Sequence, residues 1–214
     1  RRDGRVTRDE CLAQARAICA AVDLPVSGDL EKCFADSPKE AAATIRMAAE
    51  AGLAGGSIED ATGNKEKPLY DFDFSVQRVS ACAEEAKNTG FVLTARSENF
   101  LRGNPDLDDT IRRLQAFEKA GADVLYAPGL RTLDDMRAVV SAVGRPVNVV
   151  MGFAEPTITL EGLREVGVRR VSIGGALSRL ALRAFLDGAR EMRAGDFGFV
   201  TRMAGVRELH EAFV

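Results

Sequence analysis

The sequence predicts an α/β fold and, within that class, a parallel (β/α)8 barrel of the TIM type. Short apolar segments alternate with amphipathic segments along the whole chain. Each apolar segment is too short for a helix but long enough for a strand that is buried on both faces. No long polar linker interrupts the alternation, so one domain of crossover units is expected over residues 1–214.

Six strands are predicted. Four of them follow a glycine that is typical of a helix end, because glycine readily adopts the left-handed conformation that stops a helix. Two follow a proline, which cannot continue a preceding helix. The segments are 24–31, 50–60, 88–96, 119–129, 145–152 and 165–175.

Amphipathic helices are predicted between these strands. Ser37, Asp71 and Asp106 each precede such a segment and can accept a hydrogen bond from its first turn. The helices are expected near residues 7–21, 38–51, 72–88, 107–120, 132–143, 157–166 and 176–193.

The number of strands is lower than a closed barrel requires. Such a barrel has eight strands and typically about 250 residues. The chain opens with RRDGRVTRDE, a charged turn that leads directly into a helix. We therefore expect two β/α units to be missing upstream. The alternative is an open doubly wound sheet, although no G-x-G-x-x-G motif follows a strand.

Charge and hydropathy exclude several classes of function. The chain has 29 basic and 32 acidic residues, a net charge of −3, and the two signs are interspersed. This pattern argues against nucleic-acid binding and against an anionic membrane surface. No apolar run approaches the roughly 18 residues of a membrane span, and no signal segment is visible at the start. A cytoplasmic location is expected.

The cysteines and the single histidine restrict the chemistry. Cys11, Cys19, Cys33 and Cys82 lack C-x-x-C spacing, so reduced thiols are expected rather than a zinc or redox site. His210 is the only histidine. Ser-His-Asp, Cys-His and poly-histidine metal chemistry are therefore excluded. A catalyst must use carboxylates, arginine, lysine, hydroxyl groups or a metal.

Acidic residues follow successive predicted strands. Asp29 and Glu31 leave the first, Glu59 the second and Glu98 the third, while Asp3 lies in the opening turn. In a β/α barrel these positions share one rim. Crowded carboxylates repel one another unless protons or a cation offset them. Mg²⁺, with Mn²⁺ as a substitute, prefers such oxygen ligands; ordinary salt bridges at the rim are the alternative.

Basic and polar groups near this rim are candidates for substrate binding. Arg96 leaves the third strand and can form a bidentate pair with a carboxylate or phosphoryl group. The polar loop 61–68 follows Glu59 directly and suits a lid, which makes Asn64 and Lys65 candidate contacts. An ordinary solvated connection is the alternative for this loop. We predict Arg96, Lys65 and Glu98 as catalytic residues.

Four runs of residues resemble the isocitrate lyase/phosphoenolpyruvate mutase superfamily, in order and spacing, over essentially the whole chain. The resemblance implies a (β/α)8 barrel. It also implies a magnesium site formed by Asp29, Glu31 and Glu59, with Asp3 in the water network, and substrate binding by Arg96. The runs are DLEKCFADSP (29–38), AGLAGGSIED (51–60), LTARSENF (93–100) and AGADVLYAPG (120–129).

The resemblance also implies an activity and an assembly. Members of the superfamily make or break a C–C or P–C bond next to a 2-oxo acid and pass through an enolate. The leading hypothesis is thus a magnesium-dependent lyase or mutase, such as an oxaloacetate decarboxylase-like or phosphonopyruvate-processing enzyme, with a small anionic 2-oxo acid as substrate. A homotetramer that exchanges its last helix is expected, which gives the stretch after Gly175 a role.

The sequence departs from the superfamily pattern in three places. The K-[KR]-C-G-H loop, which carries the catalytic cysteine of isocitrate and methylisocitrate lyases, is replaced by TGNKEK. We therefore predict neither activity. A P-E pair is replaced by Ala127-Pro128-Gly129. The G-[FY]-G motif is replaced by Cys33-Phe34-Ala35, which predicts a change in the backbone of that loop.

Two other functions stay open at this stage. A phosphate-binding isomerase or aldolase would hold its phosphate at Gly152 and at Gly174–Gly175. Gly152 is for this reason also a predicted substrate contact. A catalytically silent relative that acts as a binding or scaffold protein is the third hypothesis, because Cys33, Ala35 and Gly129 depart from the pattern.

Overall fold

The computed structural model describes residues 6–152 and 154–212. Within these residues six strands form one parallel sheet, and their spatial order follows the order of the sequence. That order is typical of successive right-handed crossover units. The strands are β1 (Ser27–Gly28), β2 (Gly55–Glu59), β3 (Val92–Arg96), β4 (Val124–Tyr126), β5 (Val147–Val150) and β6 (Arg170–Ser172).

Seven helices lie at the predicted positions, with ends that differ by at most a few residues. A short helix near the end and two 3₁₀ helices, Asn99–Arg102 and Gly198–Arg202, were not predicted. The α-helices are α1 (Arg8–Ala21), α2 (Pro38–Glu50), α3 (Phe72–Thr89), α4 (Leu107–Lys119), α5 (Leu133–Ala142), α6 (Leu160–Glu165), α7 (Ala176–Arg193) and α8 (Val206–Ala212).

Two of the three predicted helix caps are confirmed. The side chain of Ser37 accepts a hydrogen bond from the backbone of Glu40, and that of Asp106 accepts one from Asp109. Asp71 precedes α3 but makes no such bond. Its carboxylate instead pairs with Lys67 at 2.8 Å, so the α3 prediction was right about the helix and wrong about the role of Asp71.

The sheet is curled into a half-barrel. A guanidinium nitrogen of Arg170 on β6 lies 2.7 Å from the hydroxyl of Thr94 on β3. In a flat sheet two strands three positions apart would be separated by about 14 Å. The contact therefore runs across a concave face. The predicted α/β class is confirmed, and the curvature is consistent with a TIM-type barrel.

Side chains of the sheet alternate between this concave face and the helices. Along β3, Leu93 and Ala95 are fully buried in the apolar core with helix residues such as Ile45 and Phe117. Burial of a large apolar side chain stabilises the fold by about 1.5–3 kcal/mol. The alternate positions on β3, which include Arg96, point into the half-barrel and are free to carry chemistry.

The chain divides into two compact units, the second of which begins at Ile173. The second unit contains α7, a 3₁₀ helix and α8, and Phe199 packs against Gly188 within it. Several of its large apolar side chains are exposed, among them Leu180 and Phe185. None of the helices in the described residues combines the length and the apolar character needed to cross a membrane.

Candidate active site

A cavity of about 1130 Å³ opens beside the carboxyl ends of β2 and β3. The residues that line it come from separate parts of the sequence, because the ends of parallel strands meet at one edge of a sheet. Its charged side chains include Asp29, Glu31, Glu59, Lys65, Arg96 and Arg102.

Arg96 lies at the centre of the charged side chains. Its guanidinium is 2.8 Å from a carboxylate oxygen of Asp29, 3.2 Å from Glu59 and 2.7 Å from Glu98. The ring of Tyr126 lies 5.2 Å from the guanidinium carbon, close enough for a cation–π contact. The sequence predicted that these carboxylates converge; the structure adds that one arginine contacts three of them.

Glu59 occupies the last position of β2, where all five residues are buried. Its backbone N–H donates to the carbonyl of Glu31 at 3.0 Å, which ties the loop after β1 to the end of β2. The pKa of Glu59 is raised to about 7, mainly by burial and also by the charges of Glu98 and Asp29, which together outweigh the opposing effect of Arg96 and Arg102. The surrounding positive charges therefore do not fully offset the negative charge of the Glu59 carboxylate.

Glu98 is fully buried and binds Arg96 through one oxygen, which accepts from Nε at 3.0 Å and from Nη2 at 2.7 Å. The other oxygen accepts no hydrogen bond and lies 3.3 Å from Nη2 of Arg102. The same atom of Arg102 is 3.3 Å from Glu59. Arg102 therefore offsets two buried carboxylates through long contacts, and its side chain is 40% exposed.

Asp29 and Glu31 follow β1. Partial loss of solvent around Asp29, whose side chain is otherwise exposed, raises its pKa, but Arg96 and the N–H of Glu31 lower it more, and the net pKa lies below the usual value. The hydroxyl of Ser57 is 3.2 Å from the same carboxylate. Glu31 has a φ of 50° and an exposed side chain. Asp29, Glu31, Glu59 and Glu98 are called the acidic cluster below.

The donor chemistry of the acidic cluster fits a hard divalent cation. Three of its carboxylates, those of Asp29, Glu59 and Glu98, contact only two guanidinium groups, those of Arg96 and Arg102, which leaves an excess of one negative charge in this network. The buried oxygen of Glu98 without a hydrogen bond is a second sign of incomplete compensation. In the geometry of the described residues, however, no three acidic, thiol or imidazole groups already form a metal-binding arrangement. The guanidinium of Arg96 lies between the carboxylates of Asp29, Glu59 and Glu98 and keeps them apart.

The other predicted site residues are placed less centrally. Lys65 is exposed and lines the cavity. Asn64 lines a smaller adjoining cavity with Lys65 and Arg102, and its side chain accepts from the backbone of Glu66 at 2.9 Å. Gly152 lies in an exposed turn after β5 and is not among the residues that line either cavity. Asp3 lies outside the described residues.

Two residues of the site were not predicted. Arg102 ends the 3₁₀ helix that begins directly after Glu98, and it follows Glu98 by four positions, a spacing that brings side chains together on a helical turn. Tyr126 pairs with Arg96 in the register of β3 and β4. The helical spacing was a usable signal for Arg102. The register of two strands cannot be obtained from a single sequence, so Tyr126 had no such signal.

Comparison with known proteins identifies the class. The phosphoenolpyruvate phosphomutase family matches residues 1–193, and the chain belongs to this family. Its members are C–C or P–C lyases and mutases. The predicted resemblance to the isocitrate lyase/phosphoenolpyruvate mutase superfamily is therefore confirmed.

Two curated relatives illustrate the range of activities. The 2-methylisocitrate lyase of Escherichia coli K12 is 30% identical over 173 residues, which are 77% of this chain and 58% of that protein. The oxaloacetate decarboxylase of Pseudomonas entomophila is 27% identical over 194 residues, 88% of this chain and 65% of that protein. The chain spans about 60% of the length of the first curated relatives it matches.

Two solved structures have the same fold. A crystal structure from Burkholderia cenocepacia J2315, described as that of a lyase/mutase, is 51% identical with a TM-score of 0.93 and covers 98% of this chain and 77% of its own. A phosphonopyruvate hydrolase in complex with oxalate and Mg²⁺ has a TM-score of 0.82 at 24% identity, over 97% of this chain and 75% of its own.

Proposed function

We propose that this chain forms the catalytic part of a Mg²⁺-dependent lyase or mutase. The enzyme acts on a C–C or P–C bond of a small 2-oxo acid, as oxaloacetate decarboxylases and phosphonopyruvate-processing enzymes do, and passes through an enolate. The observation that carries the proposal is the acidic cluster with Arg96, assembled from the ends of three strands around one cavity. Membership of the family supports the same chemistry.

Asp29, Glu31 and Glu59 would hold the metal, with Asp3 in its water shell. A magnesium ion bound there supplies a Lewis acid that stabilises negative charge on the substrate's keto oxygen, and Mn²⁺ would substitute for it. The excess negative charge of the acidic cluster supports this assignment, as does the magnesium in the related phosphonopyruvate hydrolase.

Arg96 would bind the substrate's carboxylate or phosphoryl group. Glu98 is fully buried, accepts two bonds from Arg96 and thereby fixes the plane of the guanidinium. Lys65 and Asn64 would approach the substrate from the loop 61–68 when that loop closes over the cavity. Gly152 is the weakest of the proposed substrate contacts, because it does not line the cavity.

The proposal includes the complete barrel and its assembly. Two further β/α units would close the six-stranded half-barrel into eight strands, which the greater length of the relatives supports. The exposed apolar side chains of α7 support a homotetramer in which the last helix is exchanged between subunits. The four free cysteines suit a reducing, cytoplasmic compartment.

A substrate screen tests the activity. Oxaloacetate, phosphonopyruvate and alkylated malates are incubated with the protein, with Mg²⁺ or with a chelator, and product formation is followed by absorbance. We expect turnover of at least one compound that stops on chelation and returns with Mg²⁺. Isocitrate and methylisocitrate should not be cleaved, because the lid sequence TGNKEK has no cysteine.

The variant Arg46→Gln, which removes an arginine outside the cavity, is the control for any variant of a cavity residue in this assay. Arg46 forms a 3.6 Å pair with Glu85 between α2 and α3 and does not line the cavity. Its turnover should equal that of the wild type.

If the wild type turns over none of the compounds and shows no Mg²⁺ effect, the catalytic proposal is wrong, and a silent binding protein becomes the better interpretation.

A further inference from the structure

The loop that carries Asp29 and Glu31 has an unusual backbone. Three residues other than glycine have positive φ within four positions: Glu31 at 50°, Cys33 at 60° and Phe34 at 54°. This conformation costs each such residue of the order of 1 kcal/mol or more. It persists only where the surrounding structure holds it in place. The loop must therefore be held by specific contacts.

The strongest of these contacts come from Arg78 on α3. One guanidinium nitrogen donates to the carbonyls of Ala35 at 2.8 Å and of Asp36, and another donates to the carbonyl of Lys32 at 2.7 Å. A single side chain therefore binds three carbonyl groups of one loop, in the fork geometry that arginine provides and lysine does not.

Arg78 differs from Arg96 and Arg113, which are also buried but each form an ion pair with a carboxylate. Its side chain is 1% exposed, and within the described residues no carboxylate forms an ion pair with it. The ring of Tyr70 lies 4.4 Å from its guanidinium carbon, and the hydroxyl of Tyr70 donates to Asp36 in the same loop. Burial of a charge without an acidic partner is costly, so the hydrogen bonds to the three carbonyl groups must offset that cost.

The remaining contacts of the loop involve its first half and its middle. The N–H of Cys33 donates to the carbonyl of Leu30 at 2.7 Å, and the hydroxyl of Thr44 donates to the carbonyl of Cys33 at 2.8 Å. The N–H of Glu59 holds the carbonyl of Glu31 at 3.0 Å. Thr44 thus ties the middle of the loop to α2, while Arg78 ties the carbonyls of Lys32, Ala35 and Asp36 to α3.

We infer that Arg78 is a positioning residue for the metal site: it holds the strained loop 29–36 so that Asp29 and Glu31 face Glu59. The inference rests on the proposed metal site, and Arg78 itself touches neither substrate nor metal. Groups that orient ligands in this indirect way typically change metal affinity about 10–100-fold when they are removed.

The test uses Arg78→Lys, with Val79→Ala as the matched control. Lysine keeps the charge but reaches fewer carbonyls. Val79 is the next residue of α3, is 3% exposed and packs in the core, so its truncation destabilises the fold without touching the loop. Mn²⁺ affinity is measured by electron paramagnetic resonance, and amide hydrogen exchange of residues 29–36 is measured without metal.

We expect Arg78→Lys to raise the Kd for Mn²⁺ about 10–100-fold and to speed exchange in the loop about tenfold. Val79→Ala should change both by less than about twofold, while it lowers the melting temperature. Unchanged exchange and unchanged affinity in Arg78→Lys would overturn the inference. An Arg78→Lys chain that does not fold would overturn it too, because Arg78 would then support the whole domain.

The two proposals fail in different ways. Wild-type protein that binds no Mn²⁺ contradicts the proposed function, whereas the exchange measurement still decides whether Arg78 holds the loop. Wild-type protein that binds Mn²⁺ together with an Arg78→Lys variant of equal affinity leaves the proposed function intact and removes the role of Arg78.

Discussion

Glu59 and Asp60 are neighbours in sequence but belong to two different groups of charges. Glu59 points into the half-barrel and joins the acidic cluster around Arg96. Asp60 points the opposite way and lies 3.2 Å from Arg113 of α4, because successive side chains of a strand alternate. We call Asp60, Asp109, Arg112 and Arg113 the Arg113 cluster.

The two clusters differ in charge balance. The ion pairs of the Arg113 cluster join two acidic and two basic side chains, whereas those of the acidic cluster join three carboxylates to two arginines. In the Arg113 cluster hydrogen bonds from Arg112, Arg113 and Asn99 outweigh burial and lower the pKa of Asp109 to about 2. Burial raises the pKa of Asp60 in the same cluster to about 6, although Arg113 opposes the shift. In the acidic cluster the pKa of Glu59 is raised to about 7. The pKa shifts alone do not separate the two clusters, because each contains one raised and one lowered carboxyl. The acidic cluster differs because it borders a cavity and includes Glu31, which pairs with neither Arg96 nor Arg102 among the described residues.

The largest effect is expected for Arg113→Met. It would leave Asp60, which is 1% exposed at its side chain, without its positive partner. Removal of one partner from a buried ion pair typically costs about 3–5 kcal/mol. Urea unfolding should show this loss, while Arg112→Met, at a side chain 63% exposed, should cost less than about 1 kcal/mol. Equal losses in both variants would contradict a structural role for the Arg113 cluster.

Asp29→Asn should have the opposite pattern of effects: a small change in the free energy of unfolding and a large loss of turnover. Asp29 is 65% exposed at its side chain, so the free energy of unfolding should change by less than about 1 kcal/mol. Metal-dependent turnover should fall at least about 100-fold, because a proposed ligand is lost. Turnover assays beside urea unfolding give both numbers. If the variant keeps its Mg²⁺-dependent activity, the assignment of Asp29 as a metal ligand is wrong.

Asp109→Asn tests the pH dependence of the Arg113 cluster. The pKa of Asp109 is about 2 in the folded chain against a usual value of 3.8, so its contribution is complete above about pH 4 and is lost as the pH falls towards 2. The wild type should exceed the variant by about 2 kcal/mol above pH 4, with the difference shrinking below it. Urea unfolding between pH 2 and 7 measures it; a difference independent of pH would refute the assignment.

The smallest effect is expected for Lys65→Gln. Lys65 is an exposed cation at the cavity and, unlike Arg96, makes no ion pair among the described residues. Loss of one exposed charge–charge contact with substrate should raise KM about three- to fivefold, with unfolding unchanged. Lys67→Gln is the control, because Lys67 is already paired with Asp71. If both variants behave alike, Lys65 has no special contact with substrate.

Much of the fold could be predicted from the sequence because its signals are local. A glycine before a short apolar run located β2, β3, β4 and β6, and Pro25 and Pro146 located the other two strands. The convergence of Asp29, Glu59 and Glu98 followed from the position of each carboxylate after its strand. These predictions needed only the knowledge that parallel strands end at one edge.

The partners of the carboxylates could not be predicted in the same way. That Arg96 contacts three carboxylates depends on distances across the curled sheet, and the support of the loop by Arg78 depends on where α3 packs. The replacement of G-[FY]-G by Cys33-Phe34-Ala35 marked this loop, but not the positive φ angles of Cys33 and Phe34, since neither residue favours that conformation. Long-range packing decided each of these features.

A crystal structure of the protein with Mg²⁺ and oxalate, which mimics the enolate of pyruvate, tests the central claim most directly. We predict an ion bound by carboxylates of Asp29 and Glu59 or their waters, with oxalate on the ion and Arg96 no longer paired with all three acidic partners. An Arg96 that still joins Asp29, Glu59 and Glu98, with no ion among them at saturating Mg²⁺, would contradict the claim that this cluster exists to hold a metal.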